Sequence, residues 1–445
     1  MQLTSTFVAL AALLNAVTIS ALPSNFPRGG DKTITKQKGY GDNNGSQCGA
    51  PSGSQNGSAP PQGGDVQGSV FFTTNHPDGN TVISADIGPD GQLTFFKGTP
   101  SGGVGARADD GGVFGPDVTF SNGLLRAHAG AGLLAAANVG SNSLSLFKIN
   151  PKNPSDIELI KAPVASGGEF PISVAFNAPG NRLCTLNGGK VAGVKCFKAS
   201  ADNGLEPIDD SWRELALNLT TPPMNPGSAS AIQFTENQDY LVAAVKGVTS
   251  QGSLYVWDVD ADYNISPEFS TVLEPAGYTY SLTPIPGRNS FLSADPVIGI
   301  DVFDFSKGVE AAANSSVTGA LNVTGQITVC WSTYSPFTER YYVADDTTNT
   351  ISELSVNGTG FPHLEKQYPG NPVGGNTDVD VATFNGQGFL YTVLTNLTSV
   401  EVWKLNSPNN TEVIQTFSVV DAAAQNNITI SKNMFQGLAT YLPPQ

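Results

Sequence analysis

The loops of this chain contain one carboxylate and two cations that could together act on an anionic substrate. The carboxylate could transfer a proton, and the cations could hold the anion. Glu169 follows a pair of glycines, and Arg107 and Lys246 lie in two other loops. A general acid or base, together with cations that hold a carboxylate, is the minimum needed to open or close a lactone ring. The sequence therefore makes Glu169 a candidate catalytic residue, and Arg107 and Lys246 candidate substrate-binding residues.

Four further polar residues occupy comparable loop positions and extend the candidate binding site: Asp117, Asn187, Asp295 and Asp345. Lys190 lies close to Asn187 in the chain and belongs to the same group. Asp and Asn in loops are also common as turn caps, because their side chains bond to nearby backbone groups. The alternative that these residues are caps or solvated charges therefore stays open.

Motifs for other chemistries are absent from the sequence. There is no GxSxG, no zinc-ligand spacing and no Walker loop. Asn376, Asp378 and Asp380 in "GGNTDVDVA" carry the oxygen atoms that Ca²⁺ prefers, but the motif lacks a bidentate Glu and the usual loop spacing. We therefore expect hydrogen bonding by these residues, with no metal and no cofactor.

The elements that must position these residues repeat along the chain. Seven segments after residue 66 contain two or three apolar strands separated by turns, as in "LLAAANVGSNSLSLFKI". Short strands that return at a period of about 50 residues are typical of propeller blades. The sequence therefore predicts an all-β protein, a seven-bladed β-propeller. A plain β-sandwich is the alternative, but sandwiches seldom extend over about 375 residues with this period.

Each blade also needs an inner strand that lines the central channel. Six such strands are predicted: Val118 to Phe120, Ile172 to Phe176, Ala231 to Phe234, Tyr280 to Pro284, Ile327 to Ser332 and Val379 to Phe384. The seventh comes from the end of the chain, where Phe435 to Leu442 forms a strand with no blade of its own. We expect it to pair into the first blade, which closes the ring without a long free edge.

In such a ring, the turns between second and third strands share one face with the connections between blades. The candidate site residues all fall on that face, so the repeat predicts that they converge on one channel mouth. Of the three histidines, only His76 can approach it, since His128 lies on or beside the opposite face and His363 lies near the outer part of blade six. A His-Pro pair such as His76-Pro77 is more often a plain turn.

The start of the chain predicts export from the cell. Residues 1–21 contain an apolar stretch followed by small residues, as in a signal peptide. Residues 22–66 lack large apolar side chains, which predicts a disordered arm, and residues 67–445 form the propeller. Ten N-glycosylation sequons agree with passage through a secretory pathway: Asn44, Asn56, Asn218, Asn264, Asn314, Asn322, Asn357, Asn396, Asn409 and Asn427. We expect a secreted, extracellular or cell-wall protein.

Four cysteines fit an oxidising compartment. Cys184 and Cys196 lie at equal distances from a turn at Lys190, so they should face each other across a hairpin and form a disulfide. Cys48 in the arm and Cys330 on an inner strand either pair or remain free thiols, and the sequence leaves both possibilities open.

The net charge limits the partners. At −16, the chain would repel nucleic acid and anionic membranes. It would also repel an anionic substrate unless local cations overcame the overall field. We expect a monomer whose partner is a small lactone or an extracellular matrix or host ligand.

Several segments together resemble the secreted fungal glycoproteins known as carboxymuconate cyclase-like, within the seven-bladed lactonase superfamily. They include "SGGEFPISVAF", "LCTLNGGKVAGVKCF", "SLTPIPG", "CWSTYSPFTERYYVAD" and "GGNTDVDVA", in order, over residues 66 to 442. The resemblance implies a seven-bladed propeller in the cell wall or medium, often a surface antigen or adhesin. In bacterial lactonase relatives one inner strand begins Pro-x-His, whereas here the triplet is Pro171, Ile172 and Ser173.

Without that imidazole, the most obvious proton-transfer group of the lactonase relatives is missing. Two functions therefore remain. The first, which we favour, is a surface binding protein, adhesin or antigen. The second is a lactonase or carboxymuconate cycloisomerase acting on a small lactone or muconate-type acid.

Overall fold

The computed structural model describes residues 66–112, 115–247, 252–274, 277–313 and 319–444. The predicted signal peptide, almost all of the predicted arm, Cys48 and the sequons at Asn44, Asn56 and Asn314 lie outside these residues. The description below concerns the described residues alone.

Seven antiparallel sheets form the blades of a propeller, which confirms the predicted fold. Blade one contains β1 (Gly68–Thr73), β2 (Thr81–Ile87) and β3 (Leu93–Pro100). Blade two contains β4 (Leu125–His128), β5 (Leu133–Asn138), β6 (Ser143–Asn150), β7 (Asn153–Leu159) and the short β8 (Val164–Ala165). Blade three contains β9 (Pro171–Phe176), β10 (Arg182–Asn187), β11 (Gly193–Ser200), β12 (Gly204–Pro207) and the short β13 (Arg213–Glu214).

The remaining four blades follow the same plan. Blade four contains β14 (Ala229–Phe234), β15 (Tyr240–Val245), β16 (Ser253–Asp258) and β17 (Ser270–Leu273). Blade five contains β18 (Thr283–Ile285), β19 (Ser290–Asp295), β20 (Gly299–Asp304) and β21 (Gly319–Asn322). Blade six contains β22 (Val329–Ser335), β23 (Arg340–Asp345), β24 (Thr350–Val356) and β25 (Pro362–Pro369). Blade seven contains β26 (Asn376–Phe384), β27 (Gln387–Leu394), β28 (Ser399–Ser407) and β29 (Asn410–Ser418).

Two short α-helices, α1 (Val309–Ala312) and α2 (Val419–Gln425), two single 3-10 turns (Val139–Ser141 and Thr395–Leu397) and one last strand, β30 (Leu438–Tyr441), complete the described elements. In blade one β30 is the innermost strand and runs antiparallel to β1, with Phe71 opposite Ala439. The two ends of the propeller therefore meet in one sheet. Neither described helix has the length and hydropathy required to cross a membrane.

Blade two differs from the prediction at its inner strand. We expected Val118 to Phe120, whereas the strand is β4, several residues later. Phe120 and Gly123 both have positive φ angles, 54° and 102°, which extended strands do not tolerate. The backbone N–H of Phe120 is instead bound by the side chain of Asp117, whose Oδ1 accepts it at 2.9 Å. The chain therefore turns here before it enters the sheet.

The hydrophobic core lies between adjacent blades, because each sheet is apolar on both faces near the channel. The second strands are buried along almost their full length, as in Leu133–Asn138 and Ser290–Asp295. Trp257, Trp331 and Trp403 from blades four, six and seven are fully or almost fully buried.

Cys184 and Cys196 are opposite each other on β10 and β11 and form the predicted disulfide. This bond is confirmed and is typical of proteins in an oxidising environment. Cys330 is a buried free thiol, and burial raises the pKa of that thiol well above its usual range.

Candidate functional site at the channel mouth

We call one side of the ring the mouth face. It is formed by the turns between second and third strands and by the connections from one blade to the next. In the strand order of the structure, all the predicted site residues lie in these turns and connections or at the strand ends that enter them. Their placement on one face therefore follows the repeat, but their contacts differ from one another.

Asn187 is part of the framework of blade three. It is fully buried at the end of β10. Its Oδ1 accepts a hydrogen bond from the Ser166 hydroxyl at 2.6 Å, and its Nδ2 donates to the Gly193 carbonyl at 3.2 Å. These bonds tie the turn after β10 to the connection that precedes blade three, and they use the polar atoms of the side chain.

Asp295 and Asp345 cap turns in blades five and six. The carboxylate of Asp295 accepts backbone N–H groups of Tyr278 at 2.9 Å and Val297 at 2.7 Å. Asp345 likewise accepts from the N–H of Ile327 at 2.7 Å. Both aspartates are almost completely buried. Their observed contacts are those of turn caps.

Glu169 lies at the rim, between blades three and four. Its side chain is half-buried and accepts a hydrogen bond from the Thr221 hydroxyl. The same hydroxyl oxygen accepts the backbone N–H of Lys190 at 2.8 Å, and the Lys190 side chain is exposed. Glu169 and Lys190 are therefore the predicted site residues that remain within reach of a ligand.

Arg107 anchors a segment that crosses the mouth. Its guanidinium forms an ion pair with Asp110 at 2.6 Å and donates to the carbonyls of Gly115 at 2.6 Å and Asn433 at 2.8 Å. Asn433 precedes β30, so Arg107 joins the connection after blade one to the closing segment of the ring. We call the described residues 107–112 and 115–120 the strap.

The strap also reaches other blades. Asp109 N donates to the Pro223 carbonyl at 2.9 Å, on the connection to blade four. Val118 N donates to Gln436 Oε1 at 2.6 Å, beside β30. Through these contacts the strap lies across the channel mouth from one side to the other.

Lys246 lies beneath the strap and is buried. Its Nζ donates to the carbonyl of Phe120 at 2.5 Å and stands 4.7 Å from the centre of the Tyr280 ring, a cation–π distance. Burial lowers the pKa of the Lys246 amine to about 8, although Asp117 favours its charged form. An amine in this setting is partly neutral slightly above physiological pH.

Asp117 completes a central cluster with Tyr280 and Lys246. One carboxylate oxygen accepts the hydroxyl of Tyr280, and the other accepts Gln436 Nε2 at 3.1 Å. Burial raises the pKa of Asp117 to about 6, while the nearby positive charge of Lys246 opposes that rise. The sequence did not single out Tyr280 or Gln436, because both were assigned only to strands that line the channel.

A second cluster contains three carboxyl groups at the junction of blades four and five. Glu274, Asp295 and Asp301 are fully buried. Thr279 donates to two of them, through its N–H to Glu274 Oε2 at 3.1 Å and its hydroxyl to Asp301 Oδ2 at 3.3 Å. Burial raises the pKa of Glu274 to about 8, and burial with the neighbouring Asp295 raises the pKa of Asp301 well above its usual range.

The acidic motif of blade seven faces the channel. Asp378 Oδ2 accepts Gly437 N at 3.1 Å, and Asp380 Oδ2 accepts the N–H and hydroxyl of Thr440 at 2.8 and 2.9 Å. These bonds join β26 to the closing strand. No group of three or more His, Cys, Asp or Glu side chains among the described residues is arranged to hold a metal ion.

The histidines make local contacts. His76 Nδ1 accepts the backbone N–H of Asp78 at 3.1 Å, as in a plain turn. His128 lies 3.0 Å from the Ala178 carbonyl, on the face opposite the mouth. A cleft of about 480 Å³, lined partly by Lys97 and Asp156, lies between the outer parts of blades one and two.

No protein-family model matches this sequence, and no curated protein matches it. Three solved structures illustrate its structural neighbours. A periplasmic gluconolactonase from Pseudomonas aeruginosa has a TM-score of 0.52 at 14% identity over 64% of this chain and 82% of its own. A protein from Bacteroides fragilis described as a 6-phosphogluconolactonase has 0.56 at 13%, over 81% and 97%. A protein from Lactobacillus plantarum has 0.57 at 15%, over 84% and 99%.

At these identities the comparisons establish the fold alone. The neighbours include lactonase-like propellers, and the chain shares their architecture.

Proposed function

We propose that the protein is a secreted, N-glycosylated binding propeller, a surface protein or adhesin, that holds an extracellular ligand at the part of the mouth face formed by blades one to three. Its exposed charged residues there include Asp78, Asp109, Lys161, Lys190 and Glu214, with Glu169 half-buried among them. We call this part the charged sector. It offers a polar ligand both signs of charge on a rigid β framework.

Glycan positions support the choice of sector. No sequon occurs between Asn56 and Asn218, an interval that contains β1 to β13 and so every strand of blades one to three except β30. N-glycans are bulky and would obstruct a partner. The seven sequons within the described residues all have exposed asparagines, and all belong to the connection before blade four or to later parts of the ring.

The closed mouth is the observation that carries a binding function over catalysis. Asp117 in the strap is 8% exposed, and Lys246 and Tyr280 beneath the strap are each 1% exposed. An active site for a small molecule is ordinarily a concave, accessible pocket. The accessible candidates, Glu169 and Lys190, lie at the rim and are not part of the central cluster of Asp117, Lys246 and Tyr280.

Binding is tested with purified protein on arrays of glycans and extracellular matrix proteins. We expect a ligand whose capture is weakened at least several-fold by Glu169→Gln combined with Lys190→Ala. Glu310→Gln combined with Lys307→Ala is the matched control, because both residues are exposed beside α1 on the opposite face. A ligand lost equally in the control pair would place binding elsewhere and overturn the assignment to the charged sector.

A second function, lactonase or carboxymuconate cycloisomerase, is favoured by the central cluster. The pKa values of Asp117 and Lys246, about 6 and about 8, lie on either side of neutrality. The Tyr280 side chain contacts both groups. Groups poised in this range suit general acid–base chemistry. Glu169 would move the proton at the rim, and Arg107 and Lys246 would hold the substrate carboxylate, once the strap moved.

A further inference from the structure

The exposed apolar side chains of this protein are concentrated on the mouth face. Eight large apolar residues are exposed among the described residues, and seven belong to mouth-face turns or connections. The seven are Val191, Met224, Leu273, Val297, Ile327, Val373 and Val420. The eighth, Val413, lies in the middle of β29 on the outer edge of blade seven.

Five of the seven form what we call the apolar arc, over blades four to seven. They are Met224, Leu273, Val297, Ile327 and Val373, with exposed fractions of 50 to 61%. Among the described mouth-face residues between 215 and 398, no Lys, Arg, Asp or Glu side chain is exposed. Lys246, Glu274, Asp295 and Asp345, which occur there, are buried, and Asp346 is half-buried. Aliphatic side chains exposed on an uncharged face are available for a covering group to shield from water.

Several partners do not suit the arc. Membrane surfaces favour Trp, Tyr, Lys and Arg, and the described part of the chain has no exposed Phe, Tyr or Trp. Anionic partners require cations, which the arc lacks. A partner for the arc must therefore be uncharged and able to lie on short aliphatic side chains.

Sequons stand directly beside the arc. Asn322 is exposed at the end of β21, opposite Gly299, and the next residue, Val323, donates its N–H to Ile298 at 3.2 Å. Ile298 adjoins Val297 in the arc. Asn322 is therefore a neighbour of one arc residue across the sheet and lies five residues before another, Ile327.

Asn396 is placed in the same way beside the other end of the arc. It is exposed in the turn between β27 and β28, and its backbone N–H donates to Gly374 at 3.0 Å. Gly374 directly follows Val373. Asn218 and Asn427 occupy mouth-face connections near Met224 and Val420.

We infer that N-glycans carried by this chain at Asn322 and Asn396 cover the apolar arc. The inference rests on the proposed function, because it requires a secreted and N-glycosylated protein. An N-glycan core is uncharged and presents C–H groups and acetyl methyls to aliphatic side chains, and its outer hydroxyls face water. The glycans thus keep one half of the mouth face from associating and leave the charged sector open.

The test compares glycans on the two faces of the same folded protein. Asn264, Asn357 and Asn409 lie in turns on the opposite face and serve as matched controls. Glycopeptide mass spectrometry gives the occupancy of each site. Asn322→Gln with Asn396→Gln should raise bis-ANS fluorescence and produce concentration-dependent dimers in sedimentation velocity. Gln at the three control sites should change neither readout.

Two further arms keep the test decisive. If the double variant does not fold, enzymatic removal of glycans from folded wild-type protein replaces it, with the three-site control treated in parallel. Val373→Ser with Ile327→Ser in the glycan-free protein should reverse both effects, whereas Val413→Ser should not.

Several results would overturn the inference. Occupied control sites with empty Asn322 and Asn396 would reject it and leave the proposed function intact, while no occupied sequon at all would reject both. Equal effects from the two sets of sites, or no effect from either, would also reject it. A fully glycosylated protein that already dimerises through Val373 would show that a second copy covers the arc.

Discussion

The two sectors of the mouth face use charge in opposite ways. In blades one to three, charged side chains such as Asp109 and Lys190 face solvent. In blades four to seven, the charges are buried beneath the loops and aliphatic side chains face out. The chain repeat is the same in both sectors, so equivalent positions in the strand order do not have equivalent exposure.

The difference has a structural cause at the ends of the second strands. Blades two and three end these strands in Asn138 and Asn187, neutral amides whose partners are neighbouring serines. Blade four instead continues into Lys246, and blade five ends in Asp295. A buried neutral amide needs only hydrogen bonds, whereas a buried charge must also be compensated. Lys246 lies near Asp117 of the strap, and Asp295 accepts two backbone N–H groups.

The largest expected effect concerns the central cluster. Asp117→Ala should lower the free energy of unfolding by about 3 to 5 kcal/mol, because it leaves Lys246 buried without its nearby negative charge and Tyr280 without its acceptor. Asp109→Ala, at an exposed aspartate of the same strap, should change it by about 0.5 kcal/mol or less. Chemical denaturation measures both, and equal effects would remove the distinction between buried and exposed charge.

Stability should fall as the pH rises, mainly because of carboxyl groups in the sector of blades four to seven, with a smaller part from Asp117 of the strap. The pKa of Glu274 is raised from 4.5 to about 8, so the folded state holds a proton that the unfolded state loses between these values. That contribution is fully present below pH 4.5 and is lost by about pH 8, on the order of a few kcal/mol. Burial also raises the pKa of Asp346, Asp378 and Glu401, each to about 7.

Unfolding midpoints at pH 5 and pH 8 measure this effect. Glu274→Gln should reduce the difference between them, whereas Glu214→Gln at an exposed glutamate of blade three should not. If the Glu274 variant keeps the whole pH dependence, the buried carboxyl cluster is not its source.

A smaller effect is expected for the neutral amide in blade three. Asn187→Ala should lower stability by about 1 to 3 kcal/mol, because the Ser166 hydroxyl and the Gly193 carbonyl lose a buried partner. Its effect should be the same at pH 5 and pH 8, unlike that of Glu274→Gln. Asn203→Ala, at an exposed turn of the same blade, is the control for thermal denaturation.

The smallest stability effect is expected in the charged sector itself. Glu169→Gln and Lys190→Ala should each change the free energy of unfolding by about 0.5 kcal/mol or less, since neither side chain is fully buried. A loss comparable with that of Asn187→Ala in calorimetry would mean that Glu169 belongs to the framework.

The sequence predicted the parts of this structure that depend on local pattern. The strand period predicted seven blades, and equal spacing about one turn predicted the Cys184–Cys196 disulfide. The strand order also placed the candidate residues on the mouth face. Each of these depends on alternation and spacing along a short stretch of chain.

The contacts of the candidate site could not be predicted in this way. Asp117 and Tyr280 are 163 residues apart, and the path of the strap decides that they meet. That path ends at Phe120, whose positive φ no strand pattern signals and which was wrongly assigned to the inner strand of blade two. Glu274, directly after β17, and Asp301, within β20, were missed because a buried carboxyl group cannot be told from an exposed one by sequence alone.

The central claim is that the protein binds at an open charged sector and does not turn over a substrate at its closed mouth. It is tested most directly by a panel of lactones and muconate-type acids on the purified protein, followed by ultraviolet absorbance and pH. We predict no turnover above the buffer rate with wild-type protein. Turnover that Glu169→Gln abolishes and Glu310→Gln leaves unchanged would contradict the claim and establish a lactone-acting enzyme.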